Sequence, residues 1–423
     1  MGFIHCVMED LKNRMIKYLI TLLLIISTLN GWAQNTSFAR GADVSWCTEM
    51  EADGRAFRNA EGTETELFAL MKQIGMTAIR LRVWVNPAKY GYGAWCDKAD
   101  VLAKAKRAHT QGLDLMIDFH YSDFFADPGT QNIPLDWADY PMNQLKTAMA
   151  EHTRDMLQAL KDEGIEPRWV QVGNETNSGM LNPLGKIDWN KNGTARYTSY
   201  VALSNAGYDA VKEVLPDAQV IIHLGGTENA KWFFTDFKAA GGKFDMIGLS
   251  HYPTSTEWNS SAASATHSNV NAAKYVQEAI ETFHVPVMIC ETGFESWRPE
   301  VASEVMHDLM SRMKSIPQCA GVFYWEPEVD GQWKPAYYQQ LGWGAYGMGA
   351  FTTDGRPTAA LDAFNDEASG IKTLHADDKT STVWYNLQGY RLSSPTKGLM
   401  IMRQGGKNQK TTHNSAFMIY KQY

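Results

Sequence analysis

Eight short apolar runs, rich in β-branched residues and separated by stretches of helical periodicity, constrain this chain more than any other feature. The runs cover 38–46, 76–85, 113–121, 169–175, 219–224, 246–252, 285–293 and 319–327. Apolar residues recur at helical spacing over 65–74, 97–111, 144–163, 194–215, 230–240, 269–283, 300–315 and 358–365. Runs of this kind are strands covered on both faces, and such strands are parallel and joined by helices. Eightfold β–α alternation predicts an α/β fold, a (β/α)8 TIM barrel with insertions. The alternative is a doubly wound open sheet. That architecture carries a Gly-rich phosphate loop after its first strand, and Gly41-Ala-Asp-Val-Ser-Trp46 has none.

A barrel places its chemistry at the C-terminal ends of its strands, and two of these ends carry glutamate. Glu175 closes Trp169-Val-Gln-Val-Gly-Asn-Glu175, and Glu291 lies in Val285-Pro-Val-Met-Ile-Cys-Glu291-Thr-Gly293. A strand-end glutamate is by default a surface residue. Two on one rim form the pair that glycosidic cleavage needs, one to protonate the leaving oxygen and one to attack the anomeric carbon or activate water.

Composition narrows the partners. A net charge of −8 and no basic stripe argue against nucleic acid, while 14 Trp and 18 Tyr supply rings on which the C–H face of a pyranose can stack. Lys17, the apolar run 18–26 and the small residues up to Ala33 form a secretory signal, with cleavage expected after Ala33. Because 1–14 makes a poor charged region, Met15 is the expected start. The apolar run is too short to span a bilayer, so no transmembrane anchor remains after removal of the signal. Export leaves Cys47, Cys96, Cys290 and Cys319, an even number that permits disulfides, although a barrel of this size has core enough without them and buried thiols suit the positions equally. No spacing suggests a zinc site.

Five segments together resemble glycoside hydrolase family 53, the arabinogalactan endo-β-1,4-galactanases of clan A. They are Gly41-Ala-Asp-Val-Ser-Trp46, Ile79-Arg-Leu-Arg-Val-Trp84, Leu115-Met-Ile-Asp-Phe-His-Tyr-Ser-Asp123 with Ala126-Asp-Pro128, Gln171-Val-Gly-Asn-Glu175 and Ile289-Cys-Glu-Thr-Gly293. The resemblance implies a retaining galactanase that acts on β-1,4-galactan by double displacement. Glu291 becomes the expected nucleophile and Glu175 the acid/base. Arg82, on the second strand, is placed to favour the charge of Glu291. Asn174 would bind the sugar 2-hydroxyl. Tyr252, in Leu249-Ser-His-Tyr252-Pro253, would orient the nucleophile, but His251 stands where the family pattern has a second Tyr, which leaves open whether His251 or Tyr252 touches Glu291. His120 is expected to reach the sugar or Glu175, and Trp325 to floor the central subsite. His120, Asp123 and His251 are the nearest polar candidates for reading the axial 4-hydroxyl of galactose. Glu326 is read as a salt-bridge partner, and Trp84, Trp297, Trp333 and Trp343 as outer rim residues.

The Gly- and aromatic-rich segment 327–351 is long for a connector and reads as a loop lining the cleft. No cofactor is required. Some bacterial relatives hold a structural calcium among the loops after strands seven and eight; Glu328 and Asp330 are the residues available for one here, and no DxDxDG-type loop is present. The expected organisation is a signal over 1–33, a barrel over 34–368 and a β-rich tail over 369–423 with a sorting or passive role. The chain is expected to be a monomer, secreted, periplasmic or at the cell surface of a Gram-negative bacterium. Two other readings are another clan A endoglycanase, acting on β-mannan or β-glucan, and a non-catalytic glycan-binding barrel.

Overall fold

In the computed structural model, the described residues are 37–91, 93–253 and 261–365, together with four strands beyond residue 382. The signal segment and its cleavage site lie outside the described residues. Eight strands close into a parallel barrel. They are β1 (Ala39–Asp43), β2 (Ala78–Val83), β3 (Asp114–Phe119), β4 (Trp169–Val172), β5 (Gln219–Gly225), β6 (Met246–Ser250), β7 (Val287–Thr292) and β8 (Cys319–Trp325), each paired with its sequence neighbours, and β8 closes on β1. Seven helices follow strands one to seven in turn, α1 (Leu67–Ile74), α2 (Lys98–Thr110), α3 (Met142–Asp162), α4 (Thr198–Val214), α5 (Ala230–Ala239), α6 (Ala262–Phe283) and α7 (Pro299–Ser315). A 3-10 helix, Ala359–Phe364, follows β8. The TIM barrel expected from the alternation is therefore present.

Local chemistry sets several boundaries. The Glu66 side chain accepts from Ala69 N–H at the start of α1, Asp97 from Asp100 N–H at α2 and Ser261 from Ser264 N–H at α6. Gly75 ends α1 with φ 109°, a conformation that favours glycine. The sequence expectation begins the sixth helix at 269, but the Ser261 cap extends it a further two turns.

The barrel interior is apolar at the bottom and charged at the top. Ala39, Ala78, Met116, Trp169, Ile221, Met246, Met288 and Ala320 fill the lower part. The Phe323 ring occupies the space beside Gly41, where a Cβ would lie 2.1 Å from the ring. One step higher, inward positions become Arg80, Asp118, Gln171 and His223, all fully buried. All four described cysteines are free and buried. Cys290 packs in the barrel interior while Cys319 belongs to the cluster beneath the helices, so these neighbouring-strand thiols face apart.

Segment 327–351, expected as a loop lining the cleft, has structure of its own. It carries a short helix, Ala336–Gln340, and buries Tyr337, whose hydroxyl accepts from Trp46 Nε1 at 2.5 Å. Trp46 is ringed by Phe125, Trp325, Trp333, Tyr338 and Tyr346 at centroid distances of 5.2–6.2 Å. This aromatic cap holds the segment on the barrel top.

The chain divides into two compact units at Asn365 and Asp366. The second contains an antiparallel sheet of β9 (Val383–Asn386), β10 (Arg391–Leu392), β11 (Gly398–Arg403) and β12 (Phe417–Gln422), in the order β10-β9-β11-β12.

Candidate active site

Arg80 organises the top of the barrel. Its strand alternates, so Arg80 and Arg82 leave the same face of β2 and sequence alone cannot say which one reaches the centre. Arg80 Nη1 donates to Asp43 Oδ2 at 2.7 Å, and Nη2 reaches Asp118 Oδ2 at 2.8 Å, Asn174 Oδ1 at 2.9 Å and Glu291 Oε1 at 2.9 Å. Its Nε donates to Gln171 Oε1 at 3.0 Å. One buried cation thus faces three carboxylates. Burial works against the charge of Asp118, but Arg80 and His120 hold it below the ordinary carboxylate range.

Arg82 takes another route, which corrects the expectation that it supports Glu291. Its guanidinium pairs with Glu326 at the end of β8 and lies 4.9–5.3 Å from the ring centroids of Trp46, Trp84 and Phe125. Glu326, read from the sequence as a salt-bridge partner, has Arg82 as its cation. Arg82 belongs to the base of the aromatic cap and makes no contact with Glu291.

Glu291 sits near the end of β7, 6 % exposed, with Arg80 on one oxygen and Tyr252 Oη donating to the other at 3.0 Å. Burial and the neighbouring carboxylates hold the Tyr252 hydroxyl well above its usual range, so it remains a donor. The open choice between His251 and Tyr252 is settled by the strand. His251 turns to the helix side, where Nε2 meets Asn269 Oδ1 of α6 at 2.9 Å, and only its backbone N–H bonds Glu291, through the carbonyl oxygen at 2.8 Å.

Glu175 lies beyond its strand. β4 ends at Val172, Gly173 adopts φ 90° and Glu175 itself φ 46°, a left-handed conformation unusual for a non-glycine residue. The turn delivers the carboxylate against Gly225 at the end of β5, where an added Cβ would stand 3.0 Å from Oε1. Ser250 Oγ donates to Oε1 at 2.6 Å and lies 3.0 Å from His223 Nε2.

The polarity of this chain is fixed from below. Arg80 Nε can only donate, so Gln171 turns its Oε1 towards it and its amide N–H groups to Asp118 Oδ1 and His223 Nδ1, both at 2.8 Å. Nδ1 must then accept, which puts the proton on Nε2 and directs it to Ser250 Oγ. Ser250 in turn donates to Glu175. Asn174 Oδ1 lies 2.9 Å from the same Nδ1, and the two acceptors share the Gln171 amide between them. Burial and Arg80 hold His223 well below its ordinary range, so the ring stays neutral.

The two glutamates are one electrostatic unit. Burial raises both carboxyl groups, and the charge of Glu175 raises Glu291 further. A pair so placed retains one proton. Glu291 has a guanidinium and a phenol donating to it, whereas Glu175 has one hydroxyl, an asymmetry that favours the charge on Glu291 over Glu175.

Other expected site residues have different employment. Asn174 is buried beside the pair; one amide hydrogen goes to Ala126 O at 2.8 Å, and the other meets no acceptor among the described residues and is available to a hydroxyl. Both nitrogens of His120 are used, Nδ1 accepting from Ala126 N–H and Nε2 donating to Asp118 Oδ2, each at 2.9 Å, so His120 makes no bond to Glu175. Asp123 is buried, and its two oxygens accept from Asn86 and Leu135 N–H at 2.8 Å, which makes it a brace between loops and not a reader of sugar. His251 is excluded from that role by its bond to α6. Trp325 stays partly exposed at the end of β8, edge-on to Tyr346 at 4.6 Å. Trp84 and Trp333 are buried and leave the rim, while Trp297 and Trp343 are exposed.

The calcium ligands considered do not fit. Asp330 Oδ1 accepts from Gln332 and Trp333 N–H, and Oδ2 pairs with Arg55 at 3.2 Å. Glu328 is buried beside Glu326, and burial with that neighbouring charge pushes its carboxyl well above the usual range, which works against the charge a calcium ligand needs. No cluster of metal-binding side chains occurs among the described residues.

Reading the sequence missed Arg80, Asp118, Gln171, His223 and Ser250. A signal existed: each is a polar residue inside an apolar run.

Residues 39–364 match the model of Glycosyl hydrolase family 53. An arabinogalactan endo-beta-1,4-galactanase of Cellvibrio japonicus is 32% identical over 340 residues, covering 73% of this chain and 85% of that one. An endo-beta-1,4-galactanase of Bacillus subtilis is 29% identical over 69% of this chain and 70% of that one. Among solved structures, one of two fungal beta-1,4-galactanases superposes with a TM-score of 0.65 at 25% identity, covering 77% of this chain and 98% of that one. The Ignisphaera aggregans family 53 catalytic domain gives 0.64 at 26% identity, over 78% and 96%. With its barrel, its paired glutamates and a family match spanning the whole barrel, the chain belongs to glycosyl hydrolase family 53.

Proposed function

We propose that the protein is a retaining endo-β-1,4-galactanase. The observation that carries this is the asymmetric pair, one glutamate facing the Arg80 guanidinium and the Tyr252 hydroxyl and the other bonded by Ser250 alone, in a chain of family 53. Glu291 attacks the anomeric carbon as Glu175 gives its proton to the glycosidic oxygen, and the bond between them breaks with departure of the reducing-end chain. Bond formation neutralises Glu291, which removes a neighbouring negative charge, so the pKa of Glu175 falls. Glu175 then takes a proton from water, which attacks the same carbon and releases Glu291. The free N–H of Asn174 faces the sugar 2-hydroxyl in this scheme.

Galactan specificity rests on family membership and the names of the relatives, since His120, Asp123 and His251 are all committed to protein partners. A site that hydrogen-bonds an axial hydroxyl rejects the equatorial analogue by roughly 10⁴-fold. Measurement of kcat/KM on linear β-1,4-galactan, β-mannan, β-glucan and β-1,3-galactan tests the assignment. Mid-chain cleavage confined to the first is expected, and comparable values on β-glucan would overturn it. The signal read over 1–33, with Met15 as its expected start, supports export, as an enzyme of cell-wall polysaccharide requires; no helix among the described residues is long and apolar enough to cross a membrane.

A further inference from the structure

Two tryptophans outside the catalytic centre stand on the surface as a parallel stack. Trp189 and Trp232 are 49 % and 47 % exposed, with ring centroids 5.5 Å apart and planes inclined by 17°. The Arg196 guanidinium lies 5.0 Å from the centroid of Trp189. Indoles are normally spent in cores, and the aromatic cap around Trp46 shows that this chain does so elsewhere.

Their positions are built. Trp189 follows buried Ile187, whose N–H bonds Ser178 O at 2.9 Å, and Asp188, whose N–H bonds Arg196 O at 3.0 Å. Trp232 lies in the first turn of α5, where Phe233 and Phe234 take the core face and leave it turned outward. Both segments leave the C-terminal end of the barrel, one after β4 and one after β5. The same two segments flank Glu175: the Asn177 side chain fastens one to the other through Gly225 N–H and C=O, both at 2.8 Å, and the Glu175 carboxyl rests against Gly225.

We propose that Trp189 and Trp232 form a sugar-stacking platform that holds the leaving-group end of the polysaccharide beyond the catalytic pair. The proposal rests on the galactanase reading and extends it to a named subsite. Glu175 gives its proton to the departing chain, so that chain runs towards the segments that carry Glu175 and Gly225. A pyranose offers a flat C–H face to an indole, and the polar neighbours Asn190, Lys191, Asn192 and Arg196 suit its hydroxyl edge. Two rings are too small a patch for a protein partner, whose interface takes about 800 Å² from each side.

The experiment is affinity electrophoresis through gels containing linear galactan, using Glu291→Gln protein so that the matrix survives, with Trp189→Ala, Trp232→Ala and both added. Retardation by galactan should weaken about tenfold in the double variant, and KM for galactan in the otherwise native enzyme should rise in parallel. Melting temperatures, expected to hold because both rings are exposed, show that the fold is intact. Undiminished retardation with an unchanged KM would overturn the platform. If Glu291→Gln protein is retarded by a different polysaccharide, and the tryptophan variants lose that retardation, the platform stands and the galactan assignment falls. Retardation by no polysaccharide would overturn the platform.

Discussion

Ser250→Ala removes one hydrogen bond to the acid and leaves both glutamates in place. Ser250 Oγ stands 2.6 Å from Glu175 Oε1, and its own lone pair is occupied by His223 Nε2–H at 3.0 Å, so its hydrogen is committed to the carboxylate. A bond of this kind favours the ionised form and opposes the rise that burial imposes on Glu175. A hydrogen bond to a charged group is worth about 1.5–3 kcal/mol, and one pKa unit corresponds to about 1.36 kcal/mol, which bounds the effect at about one to two units. Glu175 is partly open to the cleft, where water can replace the lost donor, so a shift of about one unit is expected. The sign is upward. The free enzyme is active while Glu175 holds its proton, so loss of Ser250 carries the alkaline limb of the kcat/KM profile to higher pH by that amount. The assay is kcat/KM on linear galactan across pH, because that ratio reports the free enzyme. The melting temperature should fall as well, since the buried His223 Nε2–H loses its acceptor at a cost of about 1–3 kcal/mol. A limb that stays in place, or moves to lower pH, would refute the chain from Arg80 through Gln171 and His223 to Ser250.

Three further perturbations separate the roles. Glu291→Ala should abolish turnover, and azide should restore it with a glycosyl azide of the opposite anomeric configuration, detected by NMR; rescue with retained configuration would assign the nucleophile elsewhere. Gly225→Ala inserts a Cβ about 3 Å from the Glu175 carboxyl and should lower kcat on galactan by about tenfold or more, while an aryl galactoside with a phenolate leaving group, needing little protonation, should lose less. Arg80→Lys replaces a fork that serves Asp43, Asp118, Gln171, Asn174 and Glu291 and should cut kcat by about 10² or more, whereas Arg82→Lys should appear chiefly as a lower melting temperature; the reverse ranking would restore Arg82 as the partner of the nucleophile.

The barrel was legible because its signal is long and repeated: eight apolar runs alternating with helical stretches admit few topologies. Both glutamates were legible for the same reason, as strand ends in a closed barrel converge on one rim. What the sequence concealed depends on parity. Arg80 and Arg82 share a face, and only the packing of Trp46, Trp84 and Phe125 decides that Arg82 leans to β8. Between β6 and β7 the register shifts, with Leu249 opposite Ile289 but Ser250 opposite Glu291. That extra residue on β7 brings Glu291 level with Ser250 directly after inward-facing Cys290, which simple alternation along β7 does not foresee, whereas alternation along β6 by itself turns Ser250 and Tyr252 towards the pair and His251 away from it. Glu175 was expected to end a strand, but the left-handed turn after Val172 delivers it, and that turn carries only Gly173-Asn174 as its sequence mark. Asp123 and His120 kept the look of sugar ligands because a buried carboxylate that braces a loop and one that binds a ligand are the same residue in a sequence.

Retention by Glu175 and Glu291 is tested most directly by following the hydrolysis of linear β-1,4-galactan by proton NMR from the first seconds. The account predicts that new reducing ends appear as the β anomer and only later mutarotate to the equilibrium mixture. Initial release of the α anomer would show that water, not Glu291, attacks the anomeric carbon.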